Sequence, residues 1–435
     1  MSKTYQTKRR HARQAAEDVA VPHTVTMAMQ HIAASMKDGL LALAVQSGLG
    51  VMFALLEEDV SALCGPRGKH NPDRSAVRHG HDAGSVVLGG RKLPIRRPRV
   101  RTADGTGEIA IPAYELFSST EILDEMALGK MLGKLSTRRY RLGLEPVGTS
   151  VEQASTGTSK SAISRRFVAA TEHALAQMMS ADLSELDLAA LMLDGVHFGE
   201  HTCIVALGIG IDGTKYPLAL VEGSTENATL ARELIVGLRE RGLDVTGPIL
   251  VVLDGSKALR RAVLDVFDHP VIQRCQLHKI RNVRDKLPEK LRAAVEKRMR
   301  EAYHADTLLA AEAGLTALAA ELDTKYPGAA ASLREGMNET LTVLRLQVPP
   351  TLARTLRSTN PIESMISICR DHAVNVKNWK NGQMALRWCA AGMAEAAKQF
   401  RRVNGFLHLP KLRVALERHV TPQNATSSCY NENVA

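Results

Sequence analysis

Two apolar runs in this chain close in the same way. Leu191 to Gly199 reads LMLDGVHFG, and Ile249 to Leu259 reads ILVVLDGSKAL, so each run ends in Leu-Asp-Gly. An uninterrupted apolar run bounded by turn residues suits a strand covered on both faces, as in a parallel sheet packed by helices. A carboxylate at the carboxyl edge of such a sheet lies where α/β folds place their ligands. On neighbouring strands, Asp194 and Asp254 would stand ~5 Å apart. Two bare carboxylates that close repel, and one keeps its proton unless a cation compensates. Hard oxygen donors suit Mg²⁺ or Mn²⁺. Each aspartate also has a local reading. Asp194-Gly195 can open a turn between strands, and Asp254 can cap a following helix.

The surrounding rhythm supports an α/β sheet. LDLAALMLD, the alternation from His201 to Ile211, and KYPLALVEG predict three strands with short turns. A helix over Thr225 to Arg241 follows, then strand ILVVLD, a helix over Ser256 to Phe267, and a short strand over Val271 to Cys275. Residues 276 to 350 carry no convincing strand. They are basic and rich in Ala and Leu, which predicts a helical insertion. GIGIDG, Gly208 to Gly213, matches the dinucleotide fingerprint only in letters, because another strand follows it. Asp212-Gly213 reads as a hairpin turn.

A third carboxylate comes from STNPIESMIS, Ser358 to Ser367. With Asn360 as N-cap and Pro361 at the first helical position, Glu363 falls where a capping box would bond it to the backbone of Asn360. A helix entering beside the sheet could instead turn Glu363 toward the strand ends, where a two-metal site needs a third ligand.

Upstream of residue 187 the chain is mostly helical. Residues 22 to 63 have apolar faces at helical spacing, and Leu40 to Leu56 reads as a packed helix pair. That stretch falls short of the ~20 apolar residues needed to span a bilayer. Residues 64 to 84 read as loop, and 85 to 112 as a basic β-hairpin with a turn at Asp104-Gly105. Residues 121 to 180 return to helix. Around Thr156-Gly157-Thr158 they predict a helix-turn-helix whose second helix opens at Ser159 and presents Lys160, Ser161, Ser164, Arg165 and Arg166.

Charge gives this organisation a partner. The net charge is +10 and the pI about 9.4, which favours an anionic partner, nucleic acid ahead of a membrane surface. Arg91 to Arg101 holds six basic residues and no acid, and includes Arg96, Arg97 and Arg99; Arg274 to Arg300 holds ten basic residues against three acidic ones. The second run reads as a phosphate track containing Lys279 and Arg281. The N-terminus adds Lys3, Lys8, Arg9, Arg10 and Arg13. Trp379, between Lys377 and Lys380, suits stacking on a base, while Trp388 reads as core. The six cysteines are scattered and no apolar leader precedes them, so reduced thiols in the cytoplasm are expected. Neither Cys275 with His278 nor Cys64 with His70, His79 and His81 has the spacing of a zinc site. His278 is expected near the acids, as a phosphate contact or as a partner that orients one of them.

The linked motifs LDG at 193–195, LDG at 253–255, RCQLHKIRN at 274–282, STNPIES at 358–364 and NVKNWKNGQMALRW at 375–388 resemble the Mutator-type transposases of bacterial insertion sequences. The resemblance covers roughly residues 65 to 415, in order. It implies an RNase H-like catalytic core with an all-α insertion, preceded by helical DNA-binding domains with a small β segment. It also implies a catalytic triad of Asp194, Asp254 and Glu363 holding two Mg²⁺ (or Mn²⁺) ions, which cut and join DNA strands without a covalent enzyme intermediate. The family's Cys-x-x-His signature falls on Cys275 and His278. The implied partners are the terminal inverted repeats and target DNA, with the protein acting as a homodimer and no membrane involved. The division expected is a helical segment at 1–63, basic loop and hairpin at 64–115, a helix-turn-helix-like domain at 116–182, core at 183–280, insertion at 281–355, core helices at 356–420 and a loose tail at 421–435. Two rival readings are a nuclease with the same core that hydrolyses without joining, and a domesticated copy that binds DNA without catalysis.

Overall fold

The computed structural model describes residues 23–69, 73–145, 147, 149–223 and 227–421. The basic residues before 23, His70, Thr225 and the tail beyond 421 lie outside them. The chain divides into two compact units, one reaching to residue 130 and taking in 135–167, the other comprising 131–134 and everything from 168.

In the first unit, α1 (His23–Cys64) is one helix of 42 residues rather than the packed pair expected across Leu40 to Leu56. Gly48 and Gly50 each cost a helix only about 1 kcal/mol. Met52, Leu56 and Val60 offset that cost by packing, buried, in clusters with Ala76, Val86, Leu93 and Val100 of a hairpin. That hairpin is β1 (Ala76–Leu88) and β2 (Arg91–Thr102), with a short β3 (Glu108–Ile109) beside β2. Its turn is Gly89-Gly90, both at positive φ (57° and 75°), as a two-residue hairpin of this twist requires. Strand β1 begins well inside the stretch read as loop. The register slips between Arg78 and His81, and Gly80 at φ 75° takes up the extra residue as a bulge. Glycine and histidine therefore mark an irregular strand here, not a loop. The remaining elements are α2 (Pro112–Ser118), α3 (Glu121–Leu132), a 3₁₀ turn at Tyr140–Gly143, α4 (Thr149–Ala154) and α5 (Lys160–Ser180). Helix α5 opens at Lys160, one residue after the expected start, because Ser159 caps it by accepting from the Ala162 N–H.

The second unit is built on a five-stranded sheet. Strands β4 (Leu188–Phe198), β5 (His201–Gly210) and β6 (Lys215–Gly223) form an antiparallel meander; α6 (Ala228–Glu240), β7 (Ile249–Leu253), α7 (Lys257–Val266) and β8 (Pro270–Arg274) follow. The order is β6-β5-β4-β7-β8, with β7 and β8 parallel to β4. Leu191, Leu193, Val251 and Leu253 point to the face covered by α6 and α7, in one core with Leu234, Leu238 and Val263. By strand alternation the intervening residues face the other side.

Helices α8 (Gln276–Arg284), α9 (Glu289–Tyr303), α10 (Leu308–Asp323), α11 (Pro327–Arg334), α12 (Met337–Thr340) and α13 (Thr342–Arg345) then follow without a strand. They enclose a separate core that includes Ile280, Met299, Leu315 and Leu333. After α14 (Pro350–Leu356) the chain returns to the sheet with α15 (Asn360–Ala373) and α16 (Gly382–Lys398), which pack on each other and lie against β4, β5 and β6. α17 (Leu409–Val420) closes the described chain.

Candidate active site

Strands β4 and β7 pair in parallel, Ala190 with Leu250 and so on to Leu193 with Leu253. The next residue on each strand is the aspartate. Asp194 and Asp254 therefore leave adjacent strands at the same level, on the face opposite Leu193 and Leu253. Only Asp254 ends its strand. β4 continues through Asp194 to Phe198 along β5, and the hairpin loop comes at Gly199, at φ 61°. The turn reading of Asp194-Gly195 is thus wrong, because β5 still supplies backbone partners beyond the edge of β7. Asp254 Oδ1 accepts the Ser256 N–H at 2.8 Å, and the Ser256 hydroxyl caps α7 in its place.

Asp194 is 9% exposed, and its Oδ1 accepts the Gly195 N–H at 2.8 Å. Burial first, and the charge of Asp254 second, push its carboxyl up to about 7. Glu363 also raises it, and the Gly195 amide and His278 oppose the shift. Both aspartates and Glu363 therefore act on one electrostatic field. No three His, Cys, Asp or Glu side chains among the described residues converge as a preformed ligand cluster.

Glu363 enters on the first turn of α15, whose cap is Thr359 rather than Asn360. The capping-box bond to the Asn360 backbone is not made. Instead the Thr359 hydroxyl donates to Glu363 Oε1 at 2.9 Å. Thr359 is fully buried and also stands 3.4 Å from Cys275 Sγ and 3.3 Å from His278 Nδ1. Since its one proton goes to the shortest contact, the hydroxyl oxygen takes a proton from His278 Nδ1. His278 Nδ1 lies 3.6 Å from Glu363 Oε1, and Arg281 Nη1 lies 4.0 Å from the same oxygen. Burial raises the Cys275 thiol, but hydrogen bonds with His278 and Thr359 outweigh it and bring the thiol below its usual value. The bond with Cys275 raises His278 in turn, outweighing burial, which lowers it.

A sequence profile of the transposase Mutator family matches residues 19–403. The chain belongs to the Mutator family of transposases. It is 27% identical over 400 residues to the transposase for insertion sequence element ISRM5 of Rhizobium meliloti, covering 90% of this chain and 96% of that one. It is 30% identical over 229 residues to the transposase for IS6120 of Mycolicibacterium smegmatis (51% and 70%), and 26% identical over 335 residues to the transposase for IS256 in transposon Tn4001 of Staphylococcus aureus (73% and 80%).

Around the acids of this family member, the basic residues picked out in the sequence divide sharply. His278 and Arg281 join the site. Lys279 does not: it is 2% exposed and its Nζ donates to the carbonyls of Ser332 and Glu335 at 2.6 and 2.7 Å. Much of the Arg274 to Arg300 run is likewise neutralised internally. Arg274 is buried against Glu335 and Glu339, and Arg284 and Arg300 both pair with Glu296. A charge run reads as a phosphate track only until the helices carrying the matching acids are folded onto it. Lys377 and Lys380 are exposed. Trp379 is half-buried, its ring 4.9 Å from Phe198 and 6.3 Å from Trp388, and a Cβ on Gly199 would meet it at 2.9 Å. One side of the ring is therefore packed against the β4–β5 turn. Trp388 is core, as expected.

In the first unit Lys160, Ser164 and Arg165 are exposed near the start of α5, whereas Arg166 is tied to Asp124 at 2.6 Å. Arg96 is exposed. Arg99 is held by both oxygens of Glu108, and Arg97 lies over the Tyr114 ring. Thr359 was missed in the sequence, although its i, i+4 relation to Glu363 was visible there. Among the described residues no helix is long and apolar enough to cross a membrane.

Proposed function

We propose that this chain cuts and joins DNA at the ends of its own insertion sequence, with Asp194, Asp254 and Glu363 as its catalytic carboxylates. The observation that carries the reading is the in-register pair Asp194 and Asp254, with Asp194 pushed up to about 7. A buried acid beside a second carboxylate at the same level ionises far more readily with a compensating cation. Their hard oxygens, with Glu363 on the facing helix, fit one or two Mg²⁺ or Mn²⁺ ions. Such ions would activate water and neutralise the charge that develops on the phosphate. The chain's own residues do the rest. Asp194 and Asp254 fix the position of the reacting phosphate relative to the sheet, the Thr359 hydroxyl orients Glu363, and His278 with Arg281 offers positive charge beside it. No Ser or Tyr nucleophile is required.

Three further features support the wider reading. An antiparallel meander followed by two parallel strands in the order β6-β5-β4-β7-β8 suits an RNase H-like core, interrupted at 281–355 by the helical insertion. The exposed Lys160, Ser164, Arg165 and Arg96 suit recognition of terminal repeats by the first unit. Leu40, Leu43, Val51 and Leu55, exposed along α1, suit pairing of two copies on DNA.

The test is strand cleavage and joining on labelled DNA from the end of the element, with Mg²⁺, comparing wild type with Glu363→Gln. Glutamine can still accept the Thr359 hydroxyl but is a poor ligand. The expected loss exceeds about 100-fold in both reactions, since even supporting residues around a metal cost 10–100-fold, with DNA binding retained. Full activity in the variant would remove Glu363 from the triad. Nicks without joined products would favour a nuclease.

A further inference from the structure

Next to the acids lies a separate cavity of about 380 Å³ at the start of α8, the end of α9, α14 and the start of α15. Its walls include Gln276, Arg300, His304, Arg354, Arg357 and Asn360, and no carboxylate. Three guanidinium groups meet there, two of them without a carboxylate partner among the described residues. Arg300 has an acidic partner, Glu296. Arg357 Nη1 donates to His304 Nε2 at 2.9 Å, and His304 Nδ1 lies 2.6 Å from the Arg300 carbonyl. A carbonyl can only accept, so Nδ1 carries the proton, Nε2 is a lone pair and the ring is neutral. Arg357 thus gains an acceptor but no counter-charge. Arg354 is exposed and has no acidic partner among the described residues. Burial, then the charges of Arg354 and Arg300, push the Arg357 guanidinium down. Gln276 and Asn360, the first residues of α8 and α15, line the same space, and the Gln276 N–H is taken by the Arg357 carbonyl at 3.0 Å.

We propose that this pocket binds a backbone phosphate of the DNA strand next to the one being cut. The inference rests on the proposed function and deepens it. Arginine forks match phosphate oxygens in pairs. The placement follows from the chain: Ser358 and Asn360 line the pocket, while Thr359 between them holds Glu363. Gln276 and Leu277 line it too, while Cys275 and His278 on either side of them contact Thr359. A strand held here is therefore locked in register with Asp194, Asp254 and Glu363.

The experiment uses the full chain and a labelled duplex from the DNA flanking its coding sequence, together with duplexes carrying a single neutral methylphosphonate at successive positions near the cut. Arg354→Glu is the first variant, since its side chain is exposed; Arg357→Gln is the second. Wild type is expected to bind about tenfold more weakly when one particular flanking phosphate is neutral. Arg354→Glu should lose that sensitivity, and its log–log salt dependence of binding should be shallower by about one. Unchanged salt dependence, or unchanged sensitivity to the same methylphosphonate, overturns the proposal. So does inorganic phosphate binding that requires Arg354 while duplex affinity does not. If wild type cuts and joins but Arg354→Glu and Arg357→Gln do so equally well, the pocket reading fails and the proposed function stands. If binding depends on Arg354 but no strand is ever cut, the pocket stands and the proposed function fails.

Discussion

The Thr359 hydroxyl sits 2.9 Å from Glu363 Oε1 and 3.3 Å from His278 Nδ1, so one buried group connects the third carboxylate to the basic side of the site. Supporting partners of this kind fix a ligand's orientation. Thr359→Val keeps the shape and removes the hydroxyl; Thr359→Ser keeps the hydroxyl. The valine variant should bind Mn²⁺ about tenfold more weakly, followed by the ion's paramagnetic signal, with the melting temperature little changed. The serine variant should restore binding. Equal weakening in both variants would make Thr359 a packing residue only.

Asp194 predicts a dependence on pH. Its folded value of about 7 lies above its ordinary 3.8, so the protonated form favours the cation-free fold. That contribution is full below pH 3.8, shrinks as pH rises, and is gone above 7. Asp194→Asn should therefore be more stable than wild type at pH 8, by roughly 2–4 kcal/mol, with the gap closing toward pH 4. Denaturant titrations in chelator at the two pH values measure it. A constant gap would show that Asp194 titrates normally.

The same proton competes with a bound cation. Below pH 7, cation affinity should fall about tenfold per pH unit as Asp194 holds its proton. Calorimetric Mg²⁺ titrations at pH 6, 7 and 8 would show it; affinity independent of pH would argue that Asp194 is not a ligand.

Lys279 behaves as a structural cation. Burial, with the neighbouring Arg274, lowers it to about 8, below its ordinary 10.5. The folded chain therefore binds fewer protons than the unfolded one between pH 8 and 10.5, and stability from this group rises across that window. Lys279→Met should flatten that rise and cost roughly 1–3 kcal/mol at pH 7 through the unsatisfied Ser332 and Glu335 carbonyls. DNA binding should keep its salt dependence, whereas Arg281→Ala should make it shallower by about one without changing stability.

Trp379 tests packing against stacking. Trp379→Ala should destabilise by roughly 2–3 kcal/mol, because its ring covers Phe198 and Gly199, while Trp379→Phe recovers most of that. If the alanine variant melts normally but binds single strands poorly, the ring reads bases after all.

The strand pattern and the positions of Asp194 and Asp254 were legible because they depend on local order. An apolar run too short for a helix and closed by Asp-Gly has few ways to fold. Alternation alone then decides that Asp194 and Asp254 share the face opposite Leu193 and Leu253. The order of elements around the helical insertion was readable for the same reason. What stayed hidden depends on chain segments far apart in sequence. Arg274, Lys279 and Arg284 look like free cations until Glu335, Glu339, Glu296 and the Ser332 carbonyl are folded onto them. Trp379 looks like a stacking platform until Phe198 and Gly199 cover one side of it. The choice of Thr359 over Asn360 as cap, and the meeting of Arg300, Arg354 and Arg357 in one cavity, were likewise decided by tertiary packing. Periodicity and turn chemistry act over a few residues, so the sequence determined the sheet and where its acids emerge. Charge neutralisation and burial act through space, so only the folded chain decided which of the many basic residues remain available to an anion.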